Sequence, residues 1–469
     1  MCIVCQTLTV GASLISSVLP LGVGSPESER IGRSETTVTV AANLPSPMAV
    51  SNVLPSKVGT SCPAVGRKLQ QKKNTLVCKR VGKRLVWTRA ASKGGSATTK
   101  SLAPTGNFAT DAQCADQELP RSTYWQVSAG FPKFTERIPS SGSVRVLVLP
   151  VDFPDAVATG SPATDMLPIT RALNDVYGAL SESRLVFDFV TLPTYLRVSR
   201  ESTSWGMTSY GSGRGDTYVA DIVRELDPQV DFSGVDVLIV MAPPVIGTNQ
   251  IAFSPAMPYP AHAPLQTQEK PIFSATMMGA DAWRDPMTIV HEFGHLFGWL
   301  DTYVIPYPAG PYENGHQFTG KWDFMGYAWT RGTFGWHRFW QGWLEDAEVL
   351  CANGAGEFTA TLAPLGATGK TPELLLLRGA SGKLVGVEVR RPSAMDAFVT
   401  AATQGALVYT IDANVGTGKG ALRVQGLSLS ISDYYANAPL KPGQSITVDG
   451  WTLTVTGSSG TGDAIRATR

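Results

Sequence analysis

No run of about 18 strongly apolar residues occurs beyond the N-terminus of this 469-residue chain, which excludes a multi-span membrane protein. Charge is sparse, at 16% of residues, while hydrophobic residues reach 43%. That balance excludes a disordered chain, which needs low hydrophobicity and high net charge. Histidine is scarce: there are five. With so few imidazoles, any that share a motif stand out from chance. Glycine (47) and proline (32) are plentiful instead, which favours turns and short strands over a helical bundle. The length corresponds to roughly two to four domains and suffices to bury a core without disulfides.

The net charge of +1 conceals an asymmetry. Residues 57–100 carry 12 Lys and Arg and no Asp or Glu. Residues 101–469 carry 25 Lys and Arg against 35 Asp and Glu. A basic segment therefore precedes an acidic body. Such a run is most often a solvated arm; its functional reading is attachment to an anionic cell-surface polymer, with no specific nucleic-acid site expected.

Residues 1–24 read as a signal segment, mostly apolar and followed by small residues, although they lack a Lys/Arg-rich start. Removing them leaves Cys62, Cys78, Cys114 and Cys351, an even number suited to two disulfides outside the cytoplasm. The expected pairs are Cys62–Cys78, closing a small loop, and Cys114–Cys351, tying the ends of the central domain. Residues 25–56 and 91–120 read as linkers. Residues 57–90 form a small basic Cys-containing module. Within it, apolar runs at 75–78 and 84–87 flank Val81-Gly82-Lys83, the pattern of a hairpin.

From about Arg121 the texture changes. Residues 144–152 are a near-continuous apolar run, as in a strand buried on both faces. Helical spacing covers 164–180 and 216–226, with Asp216 a candidate N-cap. Strands are expected at 185–198, 235–241 and 272–278. After Cys351, short apolar runs at 357–362, 374–377, 384–389, 407–411, 427–431 and 451–455 alternate with turn residues, the pattern of an all-β sandwich. The expectation is an α+β chain: a catalytic domain over 121–350 with a mixed sheet and an active-site helix, then a β-rich domain over 351–469.

The stretch 285–303, DPMTIVHEFGHLFGWLDTY, carries the chemistry. Asp285 and Pro286 suit a helix start. His291 and His295 lie four apart, so a helix of about 3.6 residues per turn projects both imidazoles from one face toward one metal ion. Glu292 is turned by about 100° and can address a water at the metal without being a ligand. Gly298 sits where the helix ends and the backbone can turn left-handed. That turn brings Asp301 back as the third ligand. His316, His337, Glu313 and Glu345 lie downstream as alternatives. Met325, twenty-four residues after Asp301, suits the methionine turn that metzincins place beneath their metal. Tyr327, two residues on, is a candidate to approach the reaction's oxyanion.

HEFGHLFGWLDTY, WDFMG and GWHRFWQGWL, with the upstream LVLPVDFPDA and VDFSGVDVLIVMAP, resemble the immune inhibitor A-like family of bacterial secreted metallopeptidases over roughly residues 135–412. The resemblance implies a zincin fold, one catalytic zinc and extracellular endopeptidase activity, with His291, His295 and Asp301 as ligands and Glu292 as the catalytic glutamate. The chain departs from that family in Gly326-Tyr327 after the methionine and in lacking a clear inhibitory propeptide. The segment from Cys62 to Arg89 resembles a short Cys…Gly…Cys…Trp module near the ends of many actinobacterial exported proteins.

The expected activity is that of a secreted or cell-surface zinc endopeptidase acting on proteins or peptides. Zinc suits two imidazoles and a carboxylate. Glu292 would act as general base on a zinc-activated water. Two rivals keep the scaffold: an exported adhesin, or a zinc amidohydrolase that is not a peptidase. Acidic loops around Asp152–Asp155 and Asp231–Asp236 offer oxygen ligands for structural calcium, although such loops more often act as turns and caps. Cys114 has a second reading as a latch on the metal.

Overall fold

The computed structural model describes residues 103–117, 127–209 and 213–469, together with three strands between 68 and 89. The expected signal segment and first linker lie outside the described residues. The three strands form a unit of their own: β1 (Lys68–Gln71), β2 (Asn74–Val81) and β3 (Arg84–Arg89), antiparallel in the order β1-β2-β3. Val81 pairs with Arg84 across the expected turn. Leu76 and Cys78 are buried, and Cys78 takes part in a disulfide. Cys62, its expected partner, lies outside the described residues.

The second unit, residues 100–469, is mixed α/β. Its first sheet runs β5-β4-β7-β9-β8, with β6 as a short extension on β4. These are β4 (Gly142–Asp152), β5 (Leu185–Thr191), β6 (Leu196–Arg197), β7 (Val237–Met241), β8 (Ala256–Pro258) and β9 (Ser274–Met278). All pair in parallel except β8, which lies antiparallel to β9 at the edge. The helices are α1 (Pro162–Asp165), α2 (Leu167–Leu180), α3 (Gly215–Leu226), α4 (Ala280–Arg284), α5 (Met287–Leu296) and α6 (Gly335–Trp340).

Alternation along β4 builds two cores. Val144, Val146 and Val148 join the cluster of Leu173, Val176 and Tyr177 from α2 with Ile289, Phe293 and Leu296 from α5. Leu147, Leu149 and Val151 join the cluster of Val219, Ile222 and Val223 from α3. The sheet thus lies between helices, as its continuous apolar strands require. Helix α5, which carries the two histidines, is anchored by its apolar stripe and by the Tyr177 hydroxyl, which donates to Val290 O at 2.7 Å.

The rest of the chain forms a pair of sheets. One runs β10 (Val349–Ala352), β12 (Leu374–Arg378), β13 (Leu384–Arg390), β14 (Gly405–Ile411), β15 (Leu422–Gln425). The other runs β11 (Glu357–Leu362), β18 (Gly462–Thr468), β17 (Trp451–Ser459), β16 (Ser445–Val448). Phe358, Leu375, Val387, Val408, Trp451 and Ile465 share one core between them. The expected strand at 427–431 is absent. The strand falls instead at β15, which pairs with β14, and Leu427 and Leu429 beyond it stay exposed. Asp216 does not stand as the N-cap: α3 starts at Gly215, after Arg214, and the Asp216 carboxylate pairs with Arg214.

The two halves are joined intimately. Residue 350, the expected boundary, falls inside β10. Trp322, Phe334 and Trp336 share a core with Leu374, Leu407 and Tyr409. Residues 103–117, read as part of a linker, dock on the β half: Thr105 bridges Thr359, Ala109 bridges Cys351, and Cys114 forms a disulfide with Cys351. The disulfide removes Cys114 as a latch.

Glu373 sits at this junction with Glu182, Glu348 and Arg338. Its carboxyl is raised to about 7, by burial first and by Glu348 and Glu182, against the opposing Gly366 N–H and Arg338. A carboxyl raised in the folded state destabilises the fold above that pH and ceases to do so below the unfolded value of about 4.3. The cost at pH 8 is at most about 4 kcal/mol. Glu373→Gln is therefore expected to melt several degrees above wild type at pH 8, a gain that shrinks toward zero near pH 4.5. Thermal unfolding across that range checks it.

Candidate metal centre

Helix α5 ends on a glycine-dependent turn. Gly298 N–H donates to His295 O and Trp299 N–H to Gly294 O, both at 2.9 Å, the Schellman pattern. It requires a left-handed residue, and Gly298 has φ +96°. The reversed chain then carries Asp301 back under the helix.

His291 Nε2 and His295 Nε2 each lie 3.2 Å from Asp301 Oδ1. All three side chains are buried, Asp301 completely. None of these three atoms has a hydrogen-bond partner in the structure. Three unsatisfied polar atoms converging in a dry site are costly unless a shared cation satisfies them. The other ring nitrogens are engaged: His291 Nδ1 meets Phe324 O at 3.0 Å and His295 Nδ1 meets Trp299 O at 2.7 Å. Each Nδ1–H donating to a carbonyl leaves Nε2 with its lone pair aimed at the common point, the tautomer a metal ligand needs. The donor set fits zinc.

The electrostatics agree. Burial disfavours charge on His295, yet Asp301 and Glu292 push its pKa up to about 9. Burial alone would raise the Asp301 carboxyl, but the two imidazoles hold it well below the usual carboxylate range. None of His316, His337, Glu313 or Glu345 joins the group.

Asp301 is braced from the β half. Thr417, between β14 and β15, accepts from Asp301 N at 2.9 Å and donates to Asp301 Oδ2 at 3.0 Å through one hydroxyl. Gly418 N–H donates to Asp301 O at 3.0 Å. The sequence offered no signal for Thr417, which lies 116 residues downstream of the ligand.

Met325 packs against α5 at Gly294, where a Cβ would collide with its sulfur. The turn carrying it is held by Asp323, which accepts from Met325 N at 2.7 Å and from Thr333 Oγ1 at 2.9 Å. His337 is fully buried, 2.9 Å from Asp323, and stacks on Trp299 at 4.7 Å. Arg390 of β13 donates to Trp322 O and Thr333 O, so the β half also braces this turn.

Glu292 lies outside the ligand group and borders a cleft of about 460 Å³ together with His291. Ala256 N–H of edge strand β8 donates to Glu292 Oε2 at 2.7 Å. The cleft is also lined by Asp281, Arg284, Tyr303, Tyr312, His316 and Trp329. Tyr303, which the sequence reading passed over, lies with its ring 6.2 Å from that of His291. Tyr327 packs on His316, Trp329 and Tyr434, and it is not among the lining residues.

The acidic loops considered for calcium are engaged otherwise. Asp152 takes two bonds from Arg197 at 2.7 Å, and Asp155 accepts from Ser202 N and Oγ. Asp231 accepts from Ser233 N and Asp236 from Arg145 N. Among the described residues no helix is long and apolar enough to cross a membrane. No family model and no curated protein matches the chain.

Proposed function

We propose that the chain is a secreted zinc-dependent endopeptidase of zincin type, akin to the immune inhibitor A-like metallopeptidases. The observation that carries this reading is the convergence of three buried, unsatisfied ligand atoms, His291 Nε2, His295 Nε2 and Asp301 Oδ1, next to a glutamate that opens on a cleft. Zinc held there supplies a Lewis acid that polarises a water and a carbonyl.

The chain's own groups do the rest. Glu292, oriented by Ala256 N–H, takes the proton of the attacking water and passes it to the leaving amine. Phe324 O and Trp299 O fix the tautomers of the two histidines. Tyr303, which lines the cleft with its ring 6.2 Å from that of His291, is a stronger candidate to serve the developing oxyanion than Tyr327, which does not line it. Edge strand β8, whose Ala256 N–H holds Glu292, suits pairing with an extended peptide. The Cys114–Cys351 disulfide supports export, since such bonds persist in oxidising compartments. The basic module is assigned to an anionic cell-surface polymer on the charge of residues 57–100.

The test pairs elemental analysis of the purified protein with casein or gelatin hydrolysis, with and without a chelator. One zinc per chain and chelator-sensitive cleavage are expected. One zinc and no cleavage of any protein would overturn the endopeptidase reading in favour of an adhesin or an amidohydrolase of another substrate class.

A further inference from the structure

Of the large apolar side chains left exposed among the described residues, two are aromatic: Tyr312, 39% exposed, and Trp329, 57% exposed. Both line the cleft that holds His291 and Glu292, and their rings lie 5.9 Å apart. Other rings back them. His316 lies 4.9 Å from Tyr312 and 5.1 Å from Tyr327, which is 5.2 Å from Trp329. Tyr434 closes the stack 4.7 Å from Tyr327.

Hydrogen bonds hold His316 within this shelf. His316 Nδ1 meets Gly326 O at 2.6 Å and its Nε2 meets the Tyr307 hydroxyl at 3.1 Å. Burial lowers its pKa, which keeps the imidazole neutral. Trp329 follows the methionine turn by four residues, and Thr330 N–H donates to Tyr327 O, so the shelf is tied to the floor of the metal centre. Asp281, Arg284, Asp285 and Thr288 bring polar groups to the same cleft. Exposed apolar surface gathered at one side of a concave site marks a ligand groove rather than incidental exposure.

We propose that Tyr312 and Trp329 form a specificity subsite that takes a large apolar or aromatic side chain of the substrate next to the bond cleaved. The inference rests on the peptidase reading for its choice of a peptide. Aromatic faces offer such a side chain offset or edge-on stacking in addition to burial. A charged side chain laid against the two aromatic faces loses hydration without that stacking.

The test uses the full chain carrying Glu292→Gln, loaded with zinc, so that peptides bind without turnover. Dye-labelled peptides identical but for one central Phe, Gly or Asp are compared by fluorescence anisotropy. The Phe peptide is expected to bind about tenfold more tightly than the Gly peptide, with Asp weakest. Adding Trp329→Ala should cut that ratio to about twofold, Trp329→Phe should keep most of it, and Leu427→Ala should leave it unchanged. Equal binding of Phe and Gly peptides, an undiminished ratio in Trp329→Ala, or displacement of the Phe peptide by a cell-wall oligosaccharide alone would overturn the subsite. Cleavage by wild type is scored separately. Peptide cleavage without this preference removes the subsite and spares the peptidase, whereas the preference without any cleavage does the reverse.

Discussion

Replacing Glu292 by glutamine leaves one zinc bound and lowers peptide hydrolysis by about 10²–10⁴-fold, the usual contribution of a positioned general base. The two halves of that expectation have separate causes. Zinc stays because Glu292 is not one of the converging ligands, and His291, His295 and Asp301 keep their geometry without it. The side chain stays in place because an amide oxygen still accepts the Ala256 N–H that now meets Oε2. Turnover falls because an amide cannot take the proton of the attacking water. Elemental analysis beside a casein or fluorogenic-peptide assay reads both halves. A glutamine variant with turnover within tenfold of wild type would sink the proposed mechanism, and one that loses zinc would mean that Glu292 is a ligand.

The candidate metal centre was legible because its signal is local. His291, Glu292, His295, Gly298 and Asp301 fall within one helix and the turn after it, where spacing alone dictates which groups face one another. The strands 142–152, 357–362 and 384–390 were legible for a similar reason: continuous or alternating apolar residues match the burial each strand finds. The strand at 427–431 was misplaced because an apolar run records what can be buried, not what is. Leu422 and Val424 of β15 join the core, whereas Leu427 and Leu429 beyond them remain exposed. Strands β16 and β18 were passed over because their alternation is diluted by Thr, Ser and Gly, and they gain their place from pairing with β17. Tyr303 and Thr417 left no trace in the pattern. Their positions depend on how distant segments meet, and nothing periodic in either neighbourhood encodes that meeting.

Thr417→Val is expected to weaken zinc binding about 10–100-fold, with Thr417→Ser restoring it, although residue 417 touches no metal. The hydroxyl serves Asp301 twice, accepting from its backbone N–H and donating to Oδ2, so that Oδ1 alone is turned to the histidines. Valine keeps the shape and removes both bonds. A carboxylate without that clamp has two equivalent oxygens and a freer rotamer, and ordering it again costs affinity. Competition with a chromophoric chelator measures the loss, while an unchanged melting curve of the zinc-free protein shows that the fold is intact. An affinity equal to wild type would mean that Gly418 N–H and the helix turn suffice to hold the ligand. The same geometry bears on the division of the chain. Arg390 holds Trp322 O and Thr333 O, Glu388 accepts from Gly335 N, and Thr417 holds Asp301. These braces come from the β half and end on Asp301, on Trp322 and Thr333 around the methionine turn, and on Gly335 at the start of α6. Residues 121–350 expressed alone keep all three ligands yet are expected to bind zinc more weakly than the full chain, because the braces on Asp301 and around the methionine turn come from segments the fragment lacks.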